Sequence, residues 1–210
     1  MDTDPRRFAP AAARNREPIH DVLRRVLPPA GTVLEIASGS GEHTAYLAER
    51  LPALIFQPSD PDPDARASVD AWSASLALPN VRPALALDVT QDDWGVTSAG
   101  AVVCINMIHI APWACCEALL RGAARLLPEG GPLYLYGPYK FGGAHTAASN
   151  EAFDASLRGR NPLWGVRDLD EVVRAAGSVG LVLEETVAMP ANNFSVILRR
   201  AGAGLGAEGQ

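Results

Sequence analysis

Residues 33–52, VLEIASGSGEHTAYLAERLP, join an apolar run to an amphipathic segment through a turn of small residues. The apolar run at 33–36 predicts a buried strand, and residues 42–51 predict a helix that ends at Pro52. Residues 37–41 between them, ASGSG, carry almost no side chain. A backbone needs so little side chain where it turns tightly or where a ligand must come very close. The stretch therefore predicts a ligand-binding turn between the first strand and the next helix of an α/β domain.

The rest of the chain keeps alternating apolar runs with helical patterns. Strands are predicted at 32–37, 53–60, 82–90, 99–110 and 132–139, and helices at 17–29, 42–51, 62–76 and 112–131. Because each strand is largely apolar, this alternation indicates a parallel sheet that helices cover on both faces. A helix at 168–180, followed by strands at 181–190 and 193–200 with a short turn between them, predicts an antiparallel hairpin at the end of the sheet.

Composition bounds the partners and the setting of the protein. The 210 residues carry a net charge of −6, which argues against nucleic acid as a partner, and no apolar run is long enough to span a membrane. An odd number of cysteines without an apolar leader predicts reduced thiols and a cytoplasmic protein. Cys115 and Cys116 would point about 100° apart on a helix, so no metal site is predicted. Segments 1–12 and 201–210 are predicted to be mobile or disordered, which leaves one domain at 13–200.

Three classes of ligand use a small-residue turn of this kind. A P-loop needs Lys and then Ser or Thr after its glycines, whereas Gly41 is followed by Glu42 and His43. A dinucleotide fingerprint needs a third glycine where this chain has Thr44, so a nicotinamide-dependent oxidoreductase is the weakest of the alternatives. The third class is S-adenosylmethionine (SAM), which is cationic, carries a ribose diol and adenine, and has no phosphate.

Carboxylates at successive strand ends favour SAM. Glu35 lies within the first strand, Asp60 ends the second and could accept hydrogen bonds from both ribose hydroxyls, and Asp88 ends the third near the expected adenine amino group. Asp60 and Asp88 could instead cap turns or the following helices.

A resemblance to a known family adds to this interpretation. Residues 33–43, VLEIASGSGEH, resemble motif I of class I SAM-dependent methyltransferases, in which an acid precedes G-x-G-x-G. Ala37 stands at the first glycine position, an exchange that costs little if its φ is ordinary. With FAPAAARNREPI, QPSDPD, CINMIHIAPW, YLYGPYKFGGAHTAASNEAFDASLR and WGVRDLDEV, the chain resembles, over residues 8–200, the family called domain of unknown function 938, which includes the methyltransferase-like protein 26 group.

The resemblance implies a fold, a cofactor and a set of site residues. The fold is a single Rossmann-like class I methyltransferase domain with a seven-stranded, mostly parallel sheet whose last strand is antiparallel. The expected cofactor is SAM. The residues predicted to bind it are Glu35, Ala37, Ser38, Gly39, Gly41, His43, Asp60, Asp88, Val89, Asn106 and Met107. His109 falls near the expected methyl group, where it is either a general base or a hydrogen-bonding residue of the pocket wall.

Residues 141–167 are long for a connection between a strand and a helix, and Phe153, Leu157 and Trp164 give them apolar anchors. We therefore predict an ordered lid over a substrate pocket. The predicted substrate-binding residues are Arg14, Asn15, Tyr139, Asn150, Trp164 and Arg167. Aromatic walls with neutral polar groups suit a small-molecule methyl acceptor, with O- or S-methylation preferred. The alternative is a SAM-binding protein of the same fold that acts without turnover as a sensor or partner-binding module.

Overall fold

The computed structural model describes residues 4–202. Its strands are β1 (Gly31–Ile36), β2 (Leu54–Ser59), β3 (Ala101–Ile105), β4 (Pro132–Gly137), β5 (Tyr139–Phe141), β6 (Ala144–His145), β7 (Arg167–Asp168), β8 (Leu181–Met189) and β9 (Asn193–Arg200). Its α-helices are α1 (Pro10–Val26), α2 (Glu42–Arg50), α3 (Pro63–Ser75), α4 (Trp113–Leu126), α5 (Ala148–Arg160) and α6 (Leu169–Ser178). The order of elements confirms the predicted alternation of strands and helices.

Six strands form the main sheet in the order β2-β1-β3-β4-β9-β8, and β6-β5-β7 form a small second sheet. Strands β1 to β4 run parallel, and β9 lies antiparallel between β4 and β8. The strand order therefore reverses between β1 and β3, which is where ligands bind in open α/β sheets. The predicted Rossmann-like class and the antiparallel last strand are both confirmed.

The predicted strand at 82–90 is wrong, so the sheet has six strands rather than seven. This segment runs beside β2 but makes only two isolated parallel bridges, Phe56 with Val81 and Ser59 with Leu85. Proline has no N–H to donate to a ladder. Pro58 in β2 and Pro83 in the neighbouring segment each interrupt the pairing, and so a continuous seventh strand does not form.

The core lies on both faces of the main sheet. Alternate residues of a strand point to opposite faces. Leu34 and Leu135 are buried on the face that α4 and α6 cover, and Val33 and Tyr134 are buried on the face toward α1 and α2. Both faces are thus covered, as the apolar strands predict.

The first helix begins earlier than the sequence predicts. Helix α1 starts at Pro10, contains Pro18, and includes the predicted domain boundary at residue 13. The chain ahead of it is held in place, since the N–H of Ala9 donates to Glu42 Oε2 at 2.6 Å and the N–H of Arg7 donates to Ser68 Oγ at 2.7 Å. The predictions of disorder for residues 1–3 and 203–210 lie outside the described residues.

Candidate functional site

The turn after β1 begins with a residue whose backbone is in the left-handed region. Ala37 has a φ of 55°, and Asn106, which follows the neighbouring strand β3, has a φ of 66°. The condition under which alanine would cost little at this position, an ordinary φ, is therefore not met. A non-glycine residue in this region is strained, and such strain clusters at functional sites. Both residues lie at the carboxyl edge of the sheet, beside the reversal of strand order.

Asp60 holds this turn against the end of β2. Its Oδ2 accepts the N–H of Gly39 at 3.0 Å, and its Oδ1 accepts the N–H of Asp62 at 2.9 Å. The N–H of Ser38 also donates to the carbonyl of Ser59 at 2.9 Å. Asp60 is buried and lines neither of the cavities described below. Its geometry makes it an organiser of the turn, and its contact with a ribose stays a prediction.

The two glycines of the turn have different surroundings. A Cβ on Gly41, whose φ is +86°, would lie 2.7 Å from Val69 Cα, so this glycine lets α3 approach closely. A Cβ on Gly39, whose φ is +58°, would meet only the carbonyl oxygen of Ala37, at 3.9 Å. Gly41 therefore serves packing, whereas Gly39 faces open space where a ligand could approach the backbone.

Glu35 lies beneath the turn instead of facing a ligand. Its carboxylate accepts a hydrogen bond from the hydroxyl of Thr44 and is almost fully buried. Burial raises the pKa of Glu35 to about 7, although hydrogen bonds with Thr44 and Ser38 act in the opposite direction. Glu35 therefore ties the end of β1 to α2, and the structure places it at neither cavity.

A cavity of 260 Å³, here called the turn cavity, opens beside the turn. Of the predicted cofactor-binding residues it is lined by Ala37, Asp88, Val89 and Met107. The residues that the sequence analysis missed here are Ile36, Pro61, Leu87, Ile110, Ala111 and Cys115. The turn cavity is thus mostly apolar, with one carboxylate at its wall.

A second cavity of 510 Å³, here called the lid cavity, lies between α1, the ends of β3 and β4, and α5. Its polar lining comprises five asparagines, one serine and one tyrosine: Asn15, Asn106, Asn150, Asn192, Asn193, Ser149 and Tyr136. Its remaining lining is Ala11, Ile110, Pro138, Phe153 and Ala191. Ile110 lines both cavities, which therefore adjoin at the segment after β3.

Of the residues predicted to bind substrate, Asn15 and Asn150 line the lid cavity, and Asn106, predicted to bind the cofactor, lines it as well. Their roles in binding stay predictions. His109 is fully buried behind both cavities, where its Nδ1 accepts the N–H of Arg167 at 3.3 Å. Burial lowers the pKa of His109 to about 3, and the charge of Arg167 lowers it further. Tyr139 is buried with its ring 5.0 Å from that of His109. These placements favour the pocket-wall alternative for His109 over the general base, and give Tyr139 a place in the core.

The other predicted substrate-binding residues are also placed elsewhere. The guanidinium of Arg167 donates to the carbonyls of Ile108, Ala111 and Leu163, and the residue lines a separate groove of 590 Å³ between α4 and α6. Arg14 is exposed, and Trp164 is half-buried with its ring 5.6 Å from the guanidinium of Arg160. Arg167 therefore holds loop carbonyls together instead of contacting an acceptor.

His43 lies in the first turn of α2 and contacts Asn15, which lines the lid cavity. Its Nε2 is 2.8 Å from Asn15 Oδ1. Burial lowers the pKa of His43 to about 4, and the positive charge of Arg16 contributes to the shift. His43 is therefore neutral at physiological pH and fixes the orientation of Asn15.

Residues 141–167, the predicted lid, contain α5 and are tied down by a buried carboxylate. Asp154 Oδ2 is 2.9 Å from Lys140 Nζ and 3.3 Å from His145 Nε2. Its Oδ1 accepts the N–H of Val166 at 2.8 Å and lies 3.2 Å from Arg158 Nε. Asp154 thus connects both ends of this segment to α5.

Two features are absent from residues 4–202. No three His, Cys, Asp or Glu side chains come together there in a way that could bind a metal ion. None of the helices in that range has both the length and the apolar character that crossing a bilayer requires.

Comparison with known families places the chain. A family described as "Protein of unknown function (DUF938)" matches residues 6–200. The chain belongs to the DUF938 family. The resemblance stated from the quoted motifs is thereby confirmed.

Solved structures of low sequence identity share the fold of this DUF938 protein. An O-methyltransferase family protein from Burkholderia thailandensis is 19% identical with a TM-score of 0.78, over 92% of this chain and 58% of its own. An O-methyltransferase family 2 protein from Planctomyces limnophilus, in complex with apigenin, is 16% identical with a TM-score of 0.77, over 91% and 60%. CalO1, a methyltransferase in calicheamicin biosynthesis in its SAH-bound form, is 17% identical with a TM-score of 0.73, over 91% and 54%.

These likenesses establish a shared fold. The chain spans between half and three fifths of the length of each of these three solved structures.

Proposed function

We propose that this DUF938 protein is a SAM-dependent methyltransferase that acts on a small-molecule acceptor through oxygen or sulfur. One observation carries the proposal: the turn cavity and the lid cavity adjoin at Ile110, on the carboxyl edge of the sheet where strand order reverses. Two adjoining cavities of different chemistry are what a two-substrate transfer needs. The shared fold with O-methyltransferases supports the assignment.

The residues of the turn cavity fit SAM in their chemistry. Leu87, Val89 and Met107 offer apolar surface for a flat heterocycle, and Asp88 offers a carboxylate to its amino group. The open side of Gly39 leaves backbone accessible to the amino-acid end of the cofactor. When bound, SAM would supply a methyl group activated by its positively charged sulfur.

The contribution of the chain is alignment. The lid cavity would hold the acceptor between the Phe153 ring and the strand ends, with Ile110 at its junction with the turn cavity. Holding two reactants at near-attack distance supplies a large share of the barrier reduction in such transfers. His109 has no part in this step, since it lies outside both cavities.

Cofactor binding tests the first half of the proposal. Binding of S-adenosylhomocysteine (SAH) at 100 times its Kd stabilises the folded protein by about 2.7 kcal/mol, so the melting temperature rises with SAH and SAM but not with NAD. The change Gly39→Ala adds a side chain on the ligand side of the turn and should weaken SAH binding.

Gly130→Ala is the matched control for that variant. Gly130 has a φ of +73°, and a Cβ added to it would have no atom within 4 Å, so the change brings the same backbone strain at a position away from the ligand. Equal effects of the two variants on SAH affinity, or no binding of SAH to the folded protein, contradict the proposal.

Turnover tests the second half. Methyl transfer from labelled SAM is measured across phenols, thiols, carboxylates and amines in the presence of the folded protein. Transfer to any phenol or thiol supports an enzyme. SAH binding without transfer to any acceptor class supports the alternative, a SAM-binding protein without turnover.

A further inference from the structure

A chain of three side chains runs from α2 into the lid cavity. His43 Nε2 lies 2.8 Å from Oδ1 of Asn15, and Asn15 and Tyr136 both line the cavity. Burial raises the pKa of Tyr136, and the neighbouring Asn15 side chain acts in the opposite direction. Asn15 and Tyr136 are both buried. The three residues come from α2, α1 and β4, so the fold and not the local sequence brings them together.

The hydrogen-bonding capacity of each group determines which atom donates and which accepts along this series of three side chains. An amide oxygen only accepts, so Nε2 of His43 carries the proton and donates it to Asn15. The amide nitrogen of Asn15 is then the group left for Tyr136, and because it can only donate, a hydrogen bond between the two uses a lone pair of the tyrosine oxygen. The hydroxyl hydrogen of Tyr136 is therefore free to point into the lid cavity.

The lining of the lid cavity limits which acceptors it can activate. Among the described residues, no Asp, Glu, Lys, Arg or His lines it. No group is therefore available to take a proton from an alcohol or amine, or to pair with an ammonium. The acceptor that suits such a cavity enters neutral and ionises readily.

We propose that Tyr136 is the positioning and selecting residue of the acceptor site, and that the acceptor is a phenol or enol acidic enough to react as its oxyanion while the Tyr136 hydroxyl donates to that oxygen. This inference rests on the proposed methyltransferase function. The acceptor loses its proton to solvent on binding. Its oxygen then gives an electron pair to the methyl carbon, the carbon–sulfur pair stays on sulfur, and the products are a methyl ether and a neutral thioether.

The test has a spectroscopic readout that is independent of turnover. 4-Nitrophenol is titrated by its visible absorbance while bound to the SAH complex. A hydrogen bond from Tyr136 to the oxyanion should shift the ionisation equilibrium tenfold or more toward the anion, which moves the pKa of the bound probe down by about one unit or more.

Matched variants show which side chain causes the shift in the pKa of the bound probe. Tyr136→Phe should abolish most of it. Tyr134→Phe is the control, because Tyr134 lies on the same strand and its hydroxyl is engaged by Ser195 Oγ at 2.6 Å, away from the cavity. Asn15→Leu breaks the link to His43 and should give an intermediate shift, and it carries the test if Tyr136→Phe does not fold.

Turnover provides the second arm. Across phenols of one shape whose pKa values run from below 7 to about 10, the pH at half-maximal rate should follow the pKa of each acceptor. Three results overturn the inference and leave methyl transfer standing. They are a pH–rate profile whose limb lies at the same pH for every acceptor, transfer to amines or carboxylates but to no phenol, and an unshifted pKa of the bound nitrophenol. Failure of SAH to bind overturns both proposals.

Discussion

Replacing Ala37 by glycine should stabilise the protein, which is unusual for a change in a partly buried turn. Ala37 has a φ of 55°, and an L-residue with a Cβ pays roughly 1–2 kcal/mol in that region. Glycine relieves this strain but increases the conformational entropy of the unfolded chain, which offsets about 0.4–1 kcal/mol. The net gain for Ala37→Gly is therefore about 1 kcal/mol.

Urea unfolding and thermal melting both measure this gain. For a chain of this size, 1 kcal/mol corresponds to a rise in melting temperature of about 2–4 °C. The midpoint in urea should rise with an unchanged m-value, because the surface exposed on unfolding is the same.

Two further alanines separate backbone strain from other effects. Ala77 is exposed and has a φ of 49°, so Ala77→Gly should give a similar gain. Ala71 lies inside α3, where glycine should cost about 0.5–1 kcal/mol. A loss of stability in Ala37→Gly while Ala77→Gly gains would refute the strain argument and would show that the Ala37 methyl group contributes packing at the turn cavity.

Three further predictions concern buried carboxylates. Because the pKa of Glu35 is raised to about 7 in the folded protein, its stabilising contribution is complete below pH 4.5 and is lost as the pH rises through about 7. Glu35→Gln should remove this pH dependence. Chemical unfolding measures the change in the free energy of unfolding across the window, which is at most about 3 kcal/mol. Asp60→Ala leaves two backbone N–H groups without their partner and should cost about 1–3 kcal/mol for each, with weaker SAH binding in calorimetry; an unchanged turn would contradict this. Asp154→Asn leaves Lys140 unpaired and should make residues 141–167 the first site of proteolysis, whereas the exposed Glu151→Gln on the same helix should not.

The sequence predicted the fold well because apolar strands and amphipathic helices alternate with clear boundaries. It failed at 82–90, where the apolar pattern is that of a strand but Pro58 and Pro83 break the ladder between neighbours. It also failed at the first helix. There the sequence predicted a start at residue 17, whereas contacts from Ala9 and Arg7 to distant residues hold the chain so that the helix begins at Pro10.

The sequence predicted that the candidate site lies at the carboxyl edge of the sheet, but it did not predict every side chain that lines the cavities there. Asn106 and Met107, which the resemblance implied, line cavities at the end of β3, because parallel strands bring their carboxyl ends together. Asp88 lines the turn cavity although its segment forms no continuous strand. Tyr136 was missed although its place on β4 marks the strand end, and Tyr139 was chosen instead. Beyond Gly137 the alternation of faces no longer applies, and only the three-dimensional path of the chain shows which tyrosine reaches the cavity.

The residue Lys140 gives this protein a built-in reporter. It is the only lysine in the sequence, and its Nζ is held 2.9 Å from Asp154 with the side chain 17% exposed. An amine-reactive reagent can modify this side chain only while the ion pair is open. The rate of Lys140 labelling, followed by the mass of the peptide that contains it, therefore reports the openings of residues 141–167, and a bound acceptor should lower this rate.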